Sequence, residues 1–229
     1  MKKNLFFDVG STLLYPKTKE WFIPPNYKKI LGDIDTNLFK ESIDKNKFLL
    51  DERNINTEEQ EFEMFSKFYY NVLKDFNYSN ITTEIIQNLA YDCVYNDDKF
   101  VFYKEVKREI KNLSKEYDMY IISDAWPSTY RILKNYGIYD LFKNVYISSD
   151  LGFKKSDKML FEIALENISS NDINYFIDDR FELLKISERY GFIPIIIDRN
   201  DNELTNYIEV RNLTQLRHLL KIKIYGYNP

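Results

Sequence analysis

The chain of 229 residues is long enough to bury one large α/β core, or a main domain with a smaller one beside it. With 44% hydrophobic and 30% charged residues it is not a disordered segment, and a net charge of −4 supplies no global attraction to nucleic acid. One cysteine, Cys93, excludes an intrachain disulfide and a cysteine-based zinc centre.

The opening Met1-Lys2-Lys3-Asn4-Leu5-Phe6-Phe7 starts like a signal segment, but Asp8 and Gly10 break the apolar run. No apolar stretch approaches the ~20 residues that span a bilayer. The expectation is a cytoplasmic protein without a membrane or nucleic-acid partner. The basic residues of 104–111 are interrupted by acids and read as a solvated helix face. The aromatic residues, 17% of the chain, scatter as a compositional bias scatters them.

In chain order, residues 5–7 read as a first buried strand. From Pro16 to about residue 100 the pattern is helical without strands, with helices over 37–51, 57–76 and 83–95. Strand and helix then alternate. A helix over 104–117 places Val106, Ile110, Leu113 and Tyr117 near a 3.6-residue period. A strand at 119–122 precedes a helix over Ser128–Tyr136, and a strand over Asn144–Ile147 precedes a helix over 157–167. A strand at 175–177 and helix at 181–190 follow, then a strand at 193–197 and a final helix at 213–220. Gly137 and Gly191 stand where a left-handed helix cap would sit. The alternation predicts a doubly wound, Rossmann-like parallel α/β core over 1–15 and 101–229. Residues 16–100 would form a smaller all-helical cap over the sheet's carboxyl edge, where α/β sites lie.

The strand ends carry the candidate chemistry. The first delivers Asp8 into the turn Val9-Gly10-Ser11-Thr12, where Gly10 permits close backbone approach and the turn amides can face an anion. The second ends in Ser123-Asp124, a hydroxyl able to donate to a phosphate oxygen. The third leads to Lys154-Lys155 ahead of a helix, a cation able to neutralise an oxyanion. The fourth ends in Asp178-Asp179, two adjacent carboxylates that repel unless a cation or hydrogen bonds compensate. A hard cation such as Mg²⁺ suits a few carboxylates with phosphate and water. Each motif alone also fits an ordinary strand-end turn.

Taken together, Asp, Ser, Lys and Asp-Asp at successive strand ends resemble the four motifs of the haloacid dehalogenase-like (HAD) hydrolase superfamily. A helical cap after the first motif fits as well, and Gly152-Phe153-Lys154-Lys155-Ser156-Asp157 resembles its Gly-x-x-Lys-Pro-Asp stretch. The resemblance covers about the whole chain. It implies that Asp8 is the nucleophile of a Mg²⁺-dependent phosphohydrolase, forming an aspartyl-phosphate from a small phosphorylated metabolite. Lys155 would orient Asp8 and offset transition-state charge. Ser123, with Asp124, Gly10 and Ser11, would bind the substrate's phosphate. Asp8, Asp179, Asp178 and the Gly10 carbonyl would hold the metal.

Three positions depart from the family pattern. Gly10 stands where most of its phosphatases carry the acid/base Asp, Asp124 where Asn is usual, and Leu183 where an acid or amide is usual. General acid–base help is worth roughly 10²–10⁴-fold in rate. One outcome is a hydrolase drawing an acid from Asp124 or the cap, or taking a leaving group that needs no proton, such as a phosphoanhydride or acyl phosphate. A branch of the family with Ala at that position uses a cap lysine to form a Schiff base, for which Lys45 or Lys47 could stand. Another outcome is a phosphate-binding or regulatory relative without turnover. A carbon–halogen hydrolase needs no metal, so Asp178-Asp179 counts against it. His218, the only histidine, falls in the terminal helix and reads as a surface residue. Tyr15, Trp21, Phe22 and Trp126 could line a pocket or pack the cap.

Overall fold

Phe6 is buried on one face of the first strand and Leu5 and Phe7 on the other, which requires cover on both sides. The computed structural model, which describes residues 1–51, 53–199 and 206–222, supplies that cover. In order the chain forms β1 (Lys3–Phe7), β2 (Leu14–Pro16), α1 (Tyr27–Leu31), α2 (Thr36–Asn46), α3 (Glu58–Asp75) and α4 (Thr83–Val94). There follow β3 (Phe100–Phe102), α5 (Val106–Leu113), β4 (Asp118–Ser123), α6 (Ser128–Tyr136), β5 (Asn144–Ile147) and α7 (Ser148–Leu151). The described chain then forms α8 (Lys158–Leu165), β6 (Ile173–Asp178), α9 (Phe181–Glu188), β7 (Phe192–Ile197), β8 (Ile208–Val210) and α10 (Leu213–Lys221).

Six strands form one parallel sheet in the order β5-β4-β1-β6-β7-β8. Alternate strand residues divide between two cores. Leu5, Phe7, Met119, Ile121, Ile177, Ile195 and Ile197 pack with residues of α5, α6 and α10. Phe6, Ile122, Phe176 and Ile196 pack with residues of α8 and α9. From β1 the chain runs outward through β4 and β5, then crosses to β6 on the other side of β1. Order therefore reverses around β1, and the carboxyl edge opens a crevice there.

The doubly wound core expected from the alternation is what the sheet shows, and each of its five expected strands is present. β8 was missed: Ile208-Glu209-Val210 is too short to show a period. The segment between β2 and β3 is helical and has its own apolar cluster, including Phe39, Phe65, Phe68, Val72 and Leu89. Its helices start at ordinary caps: the Asp35 carboxylate accepts from two backbone N–H groups, and the Thr57 and Thr82 hydroxyls accept one each. The chain leaves and re-enters the core through an antiparallel ribbon, with Leu14 opposite Phe102, Tyr15 opposite Val101 and Pro16 opposite Phe100. The expected divisions at 15/16 and 100/101 fall inside this ribbon.

Glu109, fully buried on α5, fixes the terminal helix. Its carboxylate accepts from Arg217 at 2.6 Å and Thr214 at 3.2 Å on α10, and from Arg108 at 2.9 Å. Burial works against its charge, but Arg217, Arg108 and Thr214 outweigh it and hold the carboxyl below its ordinary range. Glu109→Ala is expected to lower unfolding free energy by about 1–3 kcal/mol at neutral pH, because Arg217 loses its partner. Denaturant titration checks this, and the loss should shrink as pH falls through the acid range where the wild-type carboxylate protonates.

Candidate functional site

Asp8 lies one residue beyond β1, and its backbone N–H donates to the Ile177 carbonyl of neighbouring β6 at 2.9 Å. The carboxylate is thus set between two strand ends. The turn that follows is tight: Leu13 N–H reaches the Val9 carbonyl at 2.8 Å and Thr12 N–H the Gly10 carbonyl at 2.6 Å. Ser11 adopts a left-handed φ of 55°. Its N–H donates to the Leu14 carbonyl at 2.7 Å, so this amide, expected to face an anion, is engaged within the turn. Ser11 and Gly10 nonetheless line the same cavity as Asp8.

Lys155 enters from the loop before α8 and donates to two carboxylates, Asp8 Oδ1 at 2.7 Å and Asp178 Oδ2 at 2.7 Å. Ser123, at the end of β4, donates its hydroxyl to the same Asp8 Oδ1 at 2.9 Å. Both contacts fall on one oxygen and hold the Asp8 carboxylate in one orientation. Asp124 Oδ1 accepts the Lys155 backbone N–H at 2.8 Å, which positions the lysine. Asp178 Oδ1 accepts the Arg180 N–H at 2.8 Å. Asp8, Ser123, Lys155 and Asp178 are each at least 95% buried. All eight site residues expected from the sequence lie at this crevice: seven line the cavity, and Asp178 reaches it through Lys155.

The charges do not balance. One oxygen from each of Asp8, Asp178 and Asp179 lies within 4.8 Å of the others. Lys155 supplies one positive charge against three negative ones. Burial opposes the Lys155 charge, but Asp178, Asp8 and Asp124 prevail and hold its pKa above the ordinary lysine range. Burial raises Asp178 against the pull of Lys155. Burial, with Asp8 and Asp178 nearby, pushes Asp179 up to about 7. Three converging carboxylate oxygens beside one lysine leave surplus negative charge, and they are a donor set that suits a hard divalent cation.

The cavity holds about 380 Å³ and extends from Asp8 into the helical segment. Trp21, Phe22 and Trp126 line it, as the sequence allowed; Tyr15 does not, but borders an adjoining hollow with Tyr103. Leu183 is buried among the apolar residues of α9 and β7. Lys45 and Lys47 pair with Asp75 and Asp44 and lie outside the cavity wall. His218 is exposed on α10. Cys93 is buried, as expected of a small core residue, and burial pushes its thiol up to about 11.

Sequence reasoning missed a second polar cluster on the far wall. Glu61 of α3, almost fully buried, accepts from Ser128 N–H at 2.7 Å and Ser128 Oγ at 2.8 Å. Lys99 donates to the Cys93 carbonyl at 2.5 Å and to Ser128 Oγ at 3.2 Å. The helical segment thereby caps the start of α6. Glu61 had a signal: it falls on the apolar stripe of Met64, Phe65, Phe68 and Val72, an unusual place for a charge. Lys99 had none.

No family model matches the chain. Among curated proteins it is similar to the uncharacterized protein YMR130W of Saccharomyces cerevisiae, 26% identical over 141 residues, 54% of this chain and 47% of that protein. It is also similar to the Bacillus subtilis protein YfnB, named as a HAD-hydrolase, 29% identical over 122 residues, 50% of this chain and 52% of that protein. The chain spans about half the length of the curated relatives it matches. Solved structures align over nearly the whole chain. The magnesium-bound structure of YfnB gives a TM-score of 0.71 at 20% identity, covering 96% of this chain and 99% of that one. The HAD phosphatase of Thermococcus onnurineus gives 0.62 at 20% identity over 96% and 98%. The 2-haloacid dehalogenase of Pseudomonas syringae gives 0.65 at 17% identity over 96% and 99%, so the fold alone does not separate phosphate from halide chemistry. The chain has the haloacid dehalogenase-like fold, and Asp8, Ser123, Lys155 and Asp178-Asp179 meet at one crevice of it.

Proposed function

We propose that the chain is a Mg²⁺-dependent phosphohydrolase that works through an aspartyl-phosphate on Asp8. The supporting observation is the convergence of Asp8, Asp178 and Asp179 within 4.8 Å beside the buried Lys155. Asp8, Asp179 and the Gly10 carbonyl would hold the cation, with Asp178 behind them, and the cation would neutralise charge on the phosphoryl oxygens. The surplus negative charge favours this over carbon–halogen hydrolysis, which needs no metal. Residues 1–15 and 101–229 carry the chemistry in this reading, and residues 16–100 cover it.

The chain's own groups do the rest. Lys155 and Ser123 fix Asp8 by one oxygen, so the carboxylate meets phosphorus without a search for orientation. Lys155 keeps its proton throughout and stands beside the charge that develops. Ser123 gives its hydroxyl to Asp8 in the free site, and an arriving phosphate oxygen would compete for it. Asp124 holds the Lys155 backbone in place. The sequence likenesses to a HAD-hydrolase and the magnesium-bound neighbour support this reading.

Phosphate release from a panel of phosphorylated metabolites, acyl phosphates and phosphonates is expected to require both Asp8 and Mg²⁺. Asp8→Asn should abolish release, and metal removal should do the same. Silence from every substrate, in protein that still binds Mg²⁺, would transfer the assignment to a phosphate-binding relative without turnover.

Mg²⁺ affinity should fall as pH drops below about 7, where Asp179 takes up a proton. One displaced proton gives roughly a tenfold loss per pH unit by calorimetry. The sign for stability runs the other way. The folded pKa lies above the ordinary 3.8, so the folded metal-free protein binds the proton more tightly and loses stability as pH rises from about 4 to about 7. Saturating Mg²⁺ should remove that loss.

A side chain at position 10 would point at Trp21, whose ring edge stands 3.2 Å from an added Cβ. Trp21 is only partly buried and can yield a few tenths of an ångström. Gly10→Asp is expected to raise turnover of a poor-leaving-group ester by up to about 10², the low end of general-acid help. Steady-state kinetics on folded variant protein checks this.

A further inference from the structure

The cavity wall and the protonation inventory point to one class of leaving group. Five aromatic rings line the cavity that holds Asp8: Trp21, Phe22, Phe65, Phe100 and Trp126. They form two groups. Trp21 stands against Phe100, ring centroids 5.6 Å apart, beside Gly10. Trp126 packs edge-on against Phe22 at 5.8 Å and Phe65 at 5.4 Å. Phe22 is held there at a cost. Its φ of 66° is a left-handed conformation unfavourable for a bulky residue, and the Tyr69 hydroxyl fastens its carbonyl at 2.9 Å. Phe22 also packs against Phe65 and Phe68 of the helical segment, with ring centroids 6.4 and 6.3 Å away.

Most ionisable groups of the wall are engaged: Glu20 pairs with Lys40, burial pushes the Cys93 thiol up to about 11, and Arg180, also on the wall, does not give up its proton. Lys155 serves Asp8 and Asp178, and Asp179 faces them as part of the cation position. Asp124 holds the Lys155 backbone. On the far wall Glu61 and Lys99 are both committed to Ser128. The one histidine lies on α10. Among the described residues of the wall, Asp179 would be ionised once a cation is held and the other carboxyls are engaged, so no group beside Asp8 is left to protonate a departing oxygen, while aromatic rings line the same cavity.

We propose that this site, read as the hydrolase above, takes phosphates whose leaving group is an aromatic oxyanion, as in an aryl phosphate or an aroyl phosphate. Asp8 forms the new P–O bond while the bond from phosphorus to the leaving oxygen breaks. The electron pair stays on that oxygen, which departs as phenolate or arenecarboxylate without a proton. Water then attacks phosphorus, the P–O bond to Asp8 breaks, and both water protons leave on dihydrogen phosphate. Delocalisation into the ring or carboxyl makes the unprotonated departure feasible, and the aromatic wall stacks the ring it leaves on.

Trp21 and Trp126 are the chain's only tryptophans and both line the cavity, so intrinsic fluorescence reports its occupancy directly. The test uses the full chain with Mg²⁺. Binding of phenylphosphonate, ethylphosphonate and inorganic phosphate is titrated by fluorescence. Turnover is compared between 4-nitrophenyl and ethyl phosphate, and between benzoyl and acetyl phosphate. Phenylphosphonate is expected to bind roughly tenfold more tightly than ethylphosphonate. The value of kcat/KM should be at least about 10²-fold higher for 4-nitrophenyl than for ethyl phosphate, the size of the missing proton donation. Trp126→Ala should reduce the benzoyl-to-acetyl preference roughly three- to tenfold, and Trp126→Phe should restore most of it. Aryl preference in the phenyl and benzoyl arms together carries the proposal, and the two arms separate phenolate from arenecarboxylate sources. Equal binding of the two phosphonates, or equal turnover of ethyl and 4-nitrophenyl phosphate, would overturn it even in an active enzyme. Aryl-selective binding without any turnover would uphold the pocket assignment and defeat the hydrolase reading instead.

Discussion

Three carboxylates meet one lysine at the carboxyl edge of the sheet, and most of the local structure follows from keeping that group together. Asp8, Asp178 and Lys155 are buried where water cannot screen them. Two buried acids on adjacent parallel strands would repel strongly without the ammonium between them. Lys155 comes from a different strand end, so the loop ahead of α8 has to deliver it to a fixed point. The bond from its backbone N–H to Asp124 sets that delivery from β4. The sheet order with β1 between β4 and β6 is what makes the three ends neighbours.

That cluster is also why the site was legible before the fold was known. An acid that ends an apolar strand is costly, and four such polar ends in a single chain form a pattern. The strands of the core could be read because each is a short β-branched or aromatic run bounded by polar residues. The ion pairing between those ends could not be read, since it depends on strand order, which the sequence leaves open. Where Ser123 and Ser11 rest in the free site could not be read for the same reason: the Ser123 hydroxyl donates to Asp8 and the Ser11 amide to Leu14.

The far wall was less legible. Glu61 and Lys99 are separated by 38 positions and meet at Ser128, which lies in a different part of the fold. No periodic pattern links residues that come together only when the helical segment seats against α6. The roles of Trp21 and Trp126 were open at the sequence level, because an aromatic residue reads the same in a core as at a cavity wall. Their placement beside Gly10 and around Phe22 gives them a position, and position is what chemistry requires of them.

The β2–β3 ribbon has a further consequence. Its paired residues stand side by side, so the helical segment begins and ends at nearly one point. To the core, that segment is a closed loop, so extra length within it enters chiefly through the entropy of joining its ends. Doubling such a loop costs about 0.6 kcal/mol in the ideal flexible limit. The strand ends and their charged cluster meet what is threaded between Pro16 and Phe100 mainly at two seams, Glu61 and Lys99 on Ser128 and Asp51 and Arg53 on the loop that carries Lys155. A lineage can lengthen, shorten or replace that insert, and with it most of the aromatic wall, while the carboxylates and their lysine stay where the sheet holds them.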